Sequence, residues 1–356
     1  MRVSILGAGS AAYGAAAQLF VGGHDPMLWS PSGRSTVELA KGAPLRAKSA
    51  IETSFTPRIA SSAKEAVTNA DVVMLAMPGN AHKMALEASA EHLREGQPVI
   101  ISSHASFGAL YLSKLLSQRG KRAPIIVWST TLTTGRRTSP TEVNVGSLRS
   151  KIDMASVPEG GLDEGHALCT TLFGDRFVKR EGLLAIALSN LNPQNHLGIA
   201  LYNLTRMERG EKWGQAEYVT PAVGRVMEAL DAERLAIAQA FGLTVRTIKE
   251  HYAFSYHLPV ASIAEMNATL HARGGGGFGP TTLDSRYVLE DAPFGLYPTV
   301  LLGRLAGRPA PLHDAGLTML SAAYGRNLAD DNDLLPALGF AQMTRDELET
   351  RARSGY

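Results

Sequence analysis

A single cysteine, Cys169, stands in the whole chain of 356 residues. That rules out an intramolecular disulfide and a cysteine-built metal cluster, and it suits a reducing compartment. On its own the thiol reads as a small buried hydrophobe. An excess of charge is missing too. The 35 basic and 33 acidic residues are interleaved and leave a net charge of only +2, so there is no basic stripe for nucleic acid and no acidic tail. Nor is there a long run of strong hydrophobes. The nearest approach is residues 3–23, which carry no charge over 21 positions and follow Arg2, as an export signal or anchor would. Five of those positions are glycine, Ser4, Ser10 and Gln18 are polar, and the strong hydrophobes fall into two short clusters. The segment therefore reads as part of a cytoplasmic globular protein without membrane attachment. No internal repeat of fixed period occurs.

What is present begins in the same stretch. The apolar run Val3-Ser4-Ile5-Leu6 leads into Gly7-Ala8-Gly9-Ser10-Ala11-Ala12 and then an alanine-rich segment. This reads as strand, glycine turn and helix start. Gly7 permits the tight turn, Gly9 lets backbone approach a pyrophosphate, and Ala12 allows helix to pack on strand, so the helix N-terminus holds phosphates. A second strand is expected at residues 26–30, and further buried strands at 71–77, 98–102 and 124–128, with helices over 81–93 and 108–118 between them. The βαβαβ order predicts a parallel sheet with right-handed crossovers, and the loop after the third of these strands, with Met77 and Pro78, faces the dinucleotide. At the end of the second strand, Trp29-Ser30-Pro31-Ser32-Gly33-Arg34 contains no carboxylate for ribose hydroxyls. Ser30, Ser32 and Arg34 instead suit a 2′-phosphate, which favours NADP(H) over NAD(H).

Length and a 45% hydrophobic content allow two cores. The pattern changes near residue 180, predicting a Rossmann dinucleotide-binding domain over 1–180 and a helical domain over 181–356. The clearest helix starts at Thr220-Pro221 and ends before Gly242, with Glu228, Asp231, Glu233 and Arg234 read as a charged outer face. Other helices are expected over 183–207, with an interruption at Pro193, and over 259–270, 293–305 and 312–327. Within the first of these, Asn192, His196 and Asn203 share one stripe among apolar neighbours. Spacing alone favours a capping Asn192 and a satisfied core histidine. Glu290 and Asp291 precede the 293–305 helix, where Asp291 reads equally as an N-cap or as a carboxylate that fixes a histidine's tautomer. Residues 274–277 are four consecutive glycines, expected to form a flexible loop rather than a lid.

Taken together, the glycine fingerprint, Asn192-Pro193-Gln194-Asn195-His196, TPAVGRVMEALDAERLAIAQAFG and RYVLEDAPFGLYP resemble the octopine/nopaline (opine) dehydrogenase family over nearly the whole chain. The resemblance implies an α/β fold in which the Rossmann domain is followed by an all-helical opine dehydrogenase-like domain, with the active site in the interdomain cleft. It implies reductive condensation of an amino acid with a 2-oxo acid, hydride coming from a nicotinamide. It places the catalytic histidine at His196 and its aspartate partner at Asp291, reversing the plainer reading of both. Two substrate carboxylates need cationic or hydroxyl partners, for which Arg137, Arg206, Arg286, Thr131 and Asn192 are the candidates; the arginines read equally as surface residues. Where the family carries a proline and an aromatic, this chain has Thr133 and Thr134, so substrate details do not transfer there. A ketopantoate reductase-type 2-oxo acid reductase is the alternative enzyme, although its lysine has no match better than Lys179, which lies too early. A non-catalytic NADP(H)-binding sensor is the alternative outside enzymes. A homodimer is neither required nor excluded.

Overall fold

A computed structural model describes residues 1–103 and 107–356. They form two compact units, one of Met1–Ala187 with Ala337–Tyr356 and one of Leu188–Pro336.

The first unit carries strands β1 (Arg2–Leu6), β2 (Asp25–Trp29), β3 (Leu45–Ser49), β4 (Thr53–Phe55), β5 (Arg58–Ile59), β6 (Val72–Leu75), β7 (Val99–Ile101), β8 (Ile125–Trp128), β9 (Thr133–Ser139), β10 (Glu142–Leu148), β11 (Ile152–Val157) and β12 (Phe177–Lys179). Eight of these make one sheet in the order β12-β11-β8-β7-β6-β1-β2-β5. From β5 to β8 every pairing is parallel, the order of a Rossmann sheet. Helices Ser10–Val21, Ala63–Thr68, His82–Ala90 and Gly108–Ser117 cover it. The apolar runs in β1, β6, β7 and β8 are buried, as strands covered on both faces require.

The expectation of an all-parallel sheet fails at one edge, where β11 pairs antiparallel to β8. Between those strands the chain makes a hairpin excursion, β9 out and β10 back, and Arg149 N donates to Leu132 O at 3.0 Å where it closes. An even number of strands returns the chain to the end it left, so β11 runs the opposite way. The hairpin joins β3 and β4 in a four-stranded sheet, order β4-β3-β10-β9. Its inward residues Leu45, Ala47, Val143 and Val145 share a core with Ala12, Ala15 and Ala16 of the first helix. The charged and polar residues that alternate with them hide this sheet from hydropathy reading.

The domain end also differs from expectation, because residues 337–356 belong with the first unit. Lys114 Nζ donates to Ala337 O at 2.7 Å and Tyr356 N to Ser113 Oγ at 2.8 Å. The final helix, Arg345–Ser354, buries only Leu348 and Ala352, a face too narrow to announce its partner. Cys169 is fully buried, and burial pushes its thiol up to about 12, so it is chemically quiet.

The second unit is helical. The long helix is Pro221–Ala240, begun by Thr220, whose hydroxyl accepts from Val223 N at 3.5 Å. Its charged face is not all outward. Asp231 and Arg234 are buried, with Arg234 Nη2 2.6 Å from Asp231 Oδ1. One turn apart, they neutralise each other, which is what makes their burial tolerable. The expected 183–207 helix is three pieces, Gly182–Ser189, Asn192–Tyr202 and Leu204–Glu208. Pro193 sits in the first turn of the second, and Asn203 breaks off its end, its Nδ2 donating back to Ile199 O at 2.9 Å. Among the described residues no helix is long and apolar enough to cross a membrane.

Candidate active site

In the first unit, β1 ends at the glycine turn and the Ser10–Val21 helix follows. Gly7 has φ +139°, and a Cβ there would lie 2.3 Å from Ala76 O, so only glycine fits between β1 and the end of β6. Gly9 is different. Its backbone is extended, and a Cβ would meet nothing within 4 Å. No side chain caps the helix, so its first-turn N–H groups, from Ser10 to Ala12, are offered to a ligand in open space. This fits a dinucleotide pyrophosphate. The Trp29 carbonyl accepts from Gly7 N at 2.8 Å, which fixes the end of β2 beside the turn. There Ser30 to Gly33 form a tight bend with Gly33 N bonded to Ser30 O at 2.9 Å, and Ser32 and Arg34 are exposed. On the other side, the His82 ring lies 3.0 Å from the carbonyl of Met77, holding the Met77-Pro78 loop.

Arg137, one of the candidates for a substrate carboxylate, also lies here. Its Nη1 donates to Ala8 O at 2.9 Å, and its backbone N donates to Ser10 Oγ at 2.9 Å. The Tyr13 hydroxyl reaches Ser35 O at 3.0 Å and Pro140 O at 2.9 Å, tying the first helix to both neighbouring turns. The β9–β10 hairpin thus braces the glycine turn and puts a cation beside the helix N-terminus, where an anion is already favoured. Thr131 spends its hydroxyl on Thr133 O at 2.9 Å.

In the second unit, His196 lies on the Asn192–Tyr202 helix. Its Nδ1 is 2.7 Å from Asp291 Oδ2, with only 17% and 12% of the two side chains exposed. Burial pushes the Asp291 carboxyl above the ordinary carboxylate range, while His196 pulls it down. A carboxylate on Nδ1 fixes the neutral ring as the Nδ1–H tautomer. Nε2 makes no hydrogen bond to any described residue, so it is the edge left to exchange a proton.

Packing explains how residues 95 positions apart meet. Asp291 does not cap a helix with its side chain; it opens a π-helical turn, Ala292–Leu296. Such turns offset a side chain relative to an ordinary helix and recur at functional sites. The turn crosses the His196 helix at Gly295, where a Cβ would be 2.1 Å from Pro193 Cγ. From behind, Asn332 Nδ2 donates to Pro293 O at 2.8 Å. The opposite side of the His196 helix is held by Gln194, whose Nε2 donates to buried Asp231 Oδ1 at 3.1 Å. Asp231 Oδ2 in turn accepts from Ile248 N at 2.8 Å, and Arg234 reaches the Leu188 and Arg246 carbonyls. Proline and glutamine in the Asn192–His196 segment are therefore supports for the histidine, while Asn192 is exposed.

The remaining cations separate clearly. Arg206 pairs with Glu211 at 3.0 Å and lies 4.0 Å over the Tyr218 ring, a structural bracket. Lys179 pairs with Asp163 at 2.5 Å on β12. Arg286 bonds Glu290 yet keeps 76% of its side chain exposed, five positions before Asp291. The glycine segment packs closely at two points. A Cβ on Gly276 would be 2.2 Å from Ala216 Cβ, and one on Gly279 would be 2.2 Å from the Trp213 ring. Two residues of the site carry no mark in the sequence reading, Tyr287 and Gln215. Tyr287 stacks on the His196 ring with centroids 3.6 Å apart, and its hydroxyl donates to Gln215 Oε1 at 2.5 Å. The i,i+4 spacing of Tyr287 and Asp291 is the available signal.

Residues 179–324 match the model of the NAD/NADP octopine/nopaline dehydrogenase alpha-helical domain, and residues 2–105 match that of the coenzyme F420-dependent NADP oxidoreductases. An opine dehydrogenase of Arthrobacter sp. (strain 1C) is 31% identical over 350 residues, 96% of each chain. Among solved structures, octopine dehydrogenase with NADH and L-arginine superposes with a TM-score of 0.80 at 17% identity, covering 100% of this chain and 99% of that one. NADP+-bound yersinopine dehydrogenase does so with a TM-score of 0.71 at 16% identity, covering 99% and 97%. The chain belongs to the octopine/nopaline (opine) dehydrogenase family, NAD(P)-dependent oxidoreductases acting on a CH–NH bond.

Proposed function

We propose that this chain condenses the amine of an amino acid with the carbonyl of a 2-oxo acid and reduces the resulting imine, or runs the reverse oxidation, using NADP(H) in preference to NAD(H). The observation that carries the reading is the buried 2.7 Å contact of His196 with Asp291 in the helical unit. A bound nicotinamide dinucleotide supplies the hydride. The first-turn N–H groups of the Ser10–Val21 helix and the turn from Gly7 to Gly9 would hold its phosphates, with Arg137 bracing the turn. Ser30, Ser32 and Arg34 would hold a 2′-phosphate by hydrogen bonds and charge, and residues 29–34 bring no carboxylate against it. His196 Nε2 carries to the carbonyl oxygen the two protons that the nitrogen sheds, one as the ammonium becomes an amine and one as the carbinolamine forms, so that the oxygen leaves as water and an iminium remains. Once the iminium carbon is reduced, the neutral secondary amine takes up a proton from solvent through His196. Asp291 stabilises the imidazolium that forms between these steps and keeps Nε2 aimed. Of the candidate arginines we assign the substrate carboxylate to Arg286, which pairs with Glu290 but keeps its side chain 76% exposed. Arg206 is committed to Glu211 and Tyr218, and Arg137 to the glycine turn.

Nicotinamide absorbance, followed with single 2-oxo acids, single amino acids and pairs of the two, tests this. The expected result is NADPH oxidation only with a pair, a secondary-amine dicarboxylate as product, and kcat/KM about tenfold higher with NADPH than with NADH. Turnover of a 2-oxo acid alone would overturn the condensation in favour of a simple reductase, and binding without turnover would favour a sensor. Equal use of the two dinucleotides would overturn the cofactor preference.

A further inference from the structure

Asp291 restrains one edge of the His196 ring, but a single contact leaves the ring free to tilt about it. The face of the ring is restrained by Tyr287. Its phenol lies nearly parallel to the imidazole, 13° between planes and 3.6 Å between centroids. Tyr287 is itself held at its far end by the bond from its hydroxyl to Gln215 Oε1 at 2.5 Å. Gln215 is in turn fixed by its backbone N, which donates to Gly277 O at 3.0 Å. The glycine run closes on the same strip of chain, with Gly279 N bonded to Trp213 O at 3.0 Å, Trp213 Nε1 bonded to Pro280 O at 2.9 Å, and a β-bridge between Gly214 and Phe278. Gly276, at φ +89°, and Gly279 have no room for a side chain against Ala216 and Trp213. Within the run it is Gly276, and just beyond it Gly279, that let two irregular segments pack closely, while a Cβ on Gly274 or Gly277 would meet nothing within 4 Å.

Resting on the assignment of His196 as the proton-exchanging group, we propose that Tyr287 is a positioning residue for that imidazole, and that Gln215 and the glycine run act through it. The chain of contacts runs from Gly277 to Gln215, to Tyr287, to the His196 face. Edge and face are then both set, and Nε2 is left with one direction. An electron-rich ring on the face also favours the imidazolium that the reaction forms and discharges. Tyr287 touches neither hydride donor nor reacting carbon in this account. Its effect passes entirely through His196.

Tyr287→Leu, Tyr287→Phe and Gln215→Leu, measured beside His196→Asn, test this. Tyr287→Leu is expected to lower kcat about tenfold or more, the scale on which misaimed catalytic groups lose rate, with the affinity for NADPH unchanged. Tyr287→Phe keeps the stack but loses the bond to Gln215, as Gln215→Leu does, and both should fall between the parent and Tyr287→Leu. The stacked phenol shifts the His196 ring protons upfield by its ring current. In a carbon-proton spectrum that shift should persist in Tyr287→Phe and vanish in Tyr287→Leu, whatever happens to turnover. If His196→Asn abolishes turnover while Tyr287→Leu keeps kcat within twofold, the positioning role is wrong and the histidine assignment stands. Failure of Tyr287→Phe to rescue kcat, or ring-proton shifts that ignore the loss of the phenol, would also overturn it. If His196→Asn itself leaves turnover intact, the underlying assignment is wrong.

Discussion

Gly9→Ala is expected to weaken dinucleotide binding about a hundredfold while leaving the melting temperature of the free protein within a couple of degrees of the parent. The two readouts separate because Gly9 is constrained by a ligand and not by the fold. Its backbone is extended, and a Cβ would meet nothing within 4 Å, so alanine fits the empty protein without strain. The small loss in helix capping is offset by the lower entropy of the unfolded chain. With the phosphates bound, the same methyl group occupies the space through which they approach the first-turn N–H groups. Losing about two charge-assisted hydrogen bonds, each worth roughly 1.5 kcal/mol or more, corresponds to about a hundredfold. Gly7→Ala is the contrast. Its φ of +139° and the 2.3 Å approach to Ala76 O belong to the fold, so that variant should lose stability as well as binding. Titration calorimetry with NADPH, alongside thermal unfolding, reads both. A Gly9→Ala protein that binds NADPH like the parent would place the phosphates elsewhere.

His196→Asn carries the second large effect, a fall in kcat of about 10² to 10⁴ with dinucleotide affinity unchanged. Asparagine is chosen because its amide still donates to Asp291, so the buried carboxyl is not orphaned and the helical unit keeps its packing. The loss then reports proton transfer and not collapse of the site. Steady-state kinetics with a substrate pair, combined with NADPH titration, gives the comparison. Turnover within a few fold of the parent would remove His196 from the chemistry.

Much of the first unit is legible in the amino-acid sequence alone. The alternation of apolar runs with helical stretches suffices for the core strands β2, β1, β6, β7 and β8 because buried parallel strands need unbroken hydrophobic runs, whereas the two-residue edge strand β5 leaves no such mark. The glycine turn is legible because its residues are contiguous, 7–12, although the constraint on Gly7 comes from Ala76. The hairpin sheet is not, because β9 reads Thr-Thr-Gly-Arg-Arg-Thr-Ser, and its strand character comes from pairing with β10 and not from composition. The place of Arg137 is hidden with it, since that residue looks like any loop arginine until the hairpin lays it on Ala8. In the helical unit, Asp231 and Arg234 read as surface charges because each is costly to bury alone, and only their contact removes that cost. His196 and Asp291 emerge through family resemblance, since no local rule links positions so distant in sequence. Gly295 and Pro193, whose contact brings them together, each look like ordinary helix punctuation.

The central claim is that His196 and Asp291 act as one unit in proton transfer. A double-mutant cycle on kcat tests it most directly, comparing His196→Asn, Asp291→Asn and the variant carrying both. If Asp291 works only by holding and stabilising the imidazole, Asp291→Asn should lower kcat about tenfold to a thousandfold. In the double variant, kcat should then sit within a few fold of His196→Asn alone, because nothing remains for the carboxylate to orient. Losses that multiply in the double variant would mean the two residues act independently, and would contradict the account.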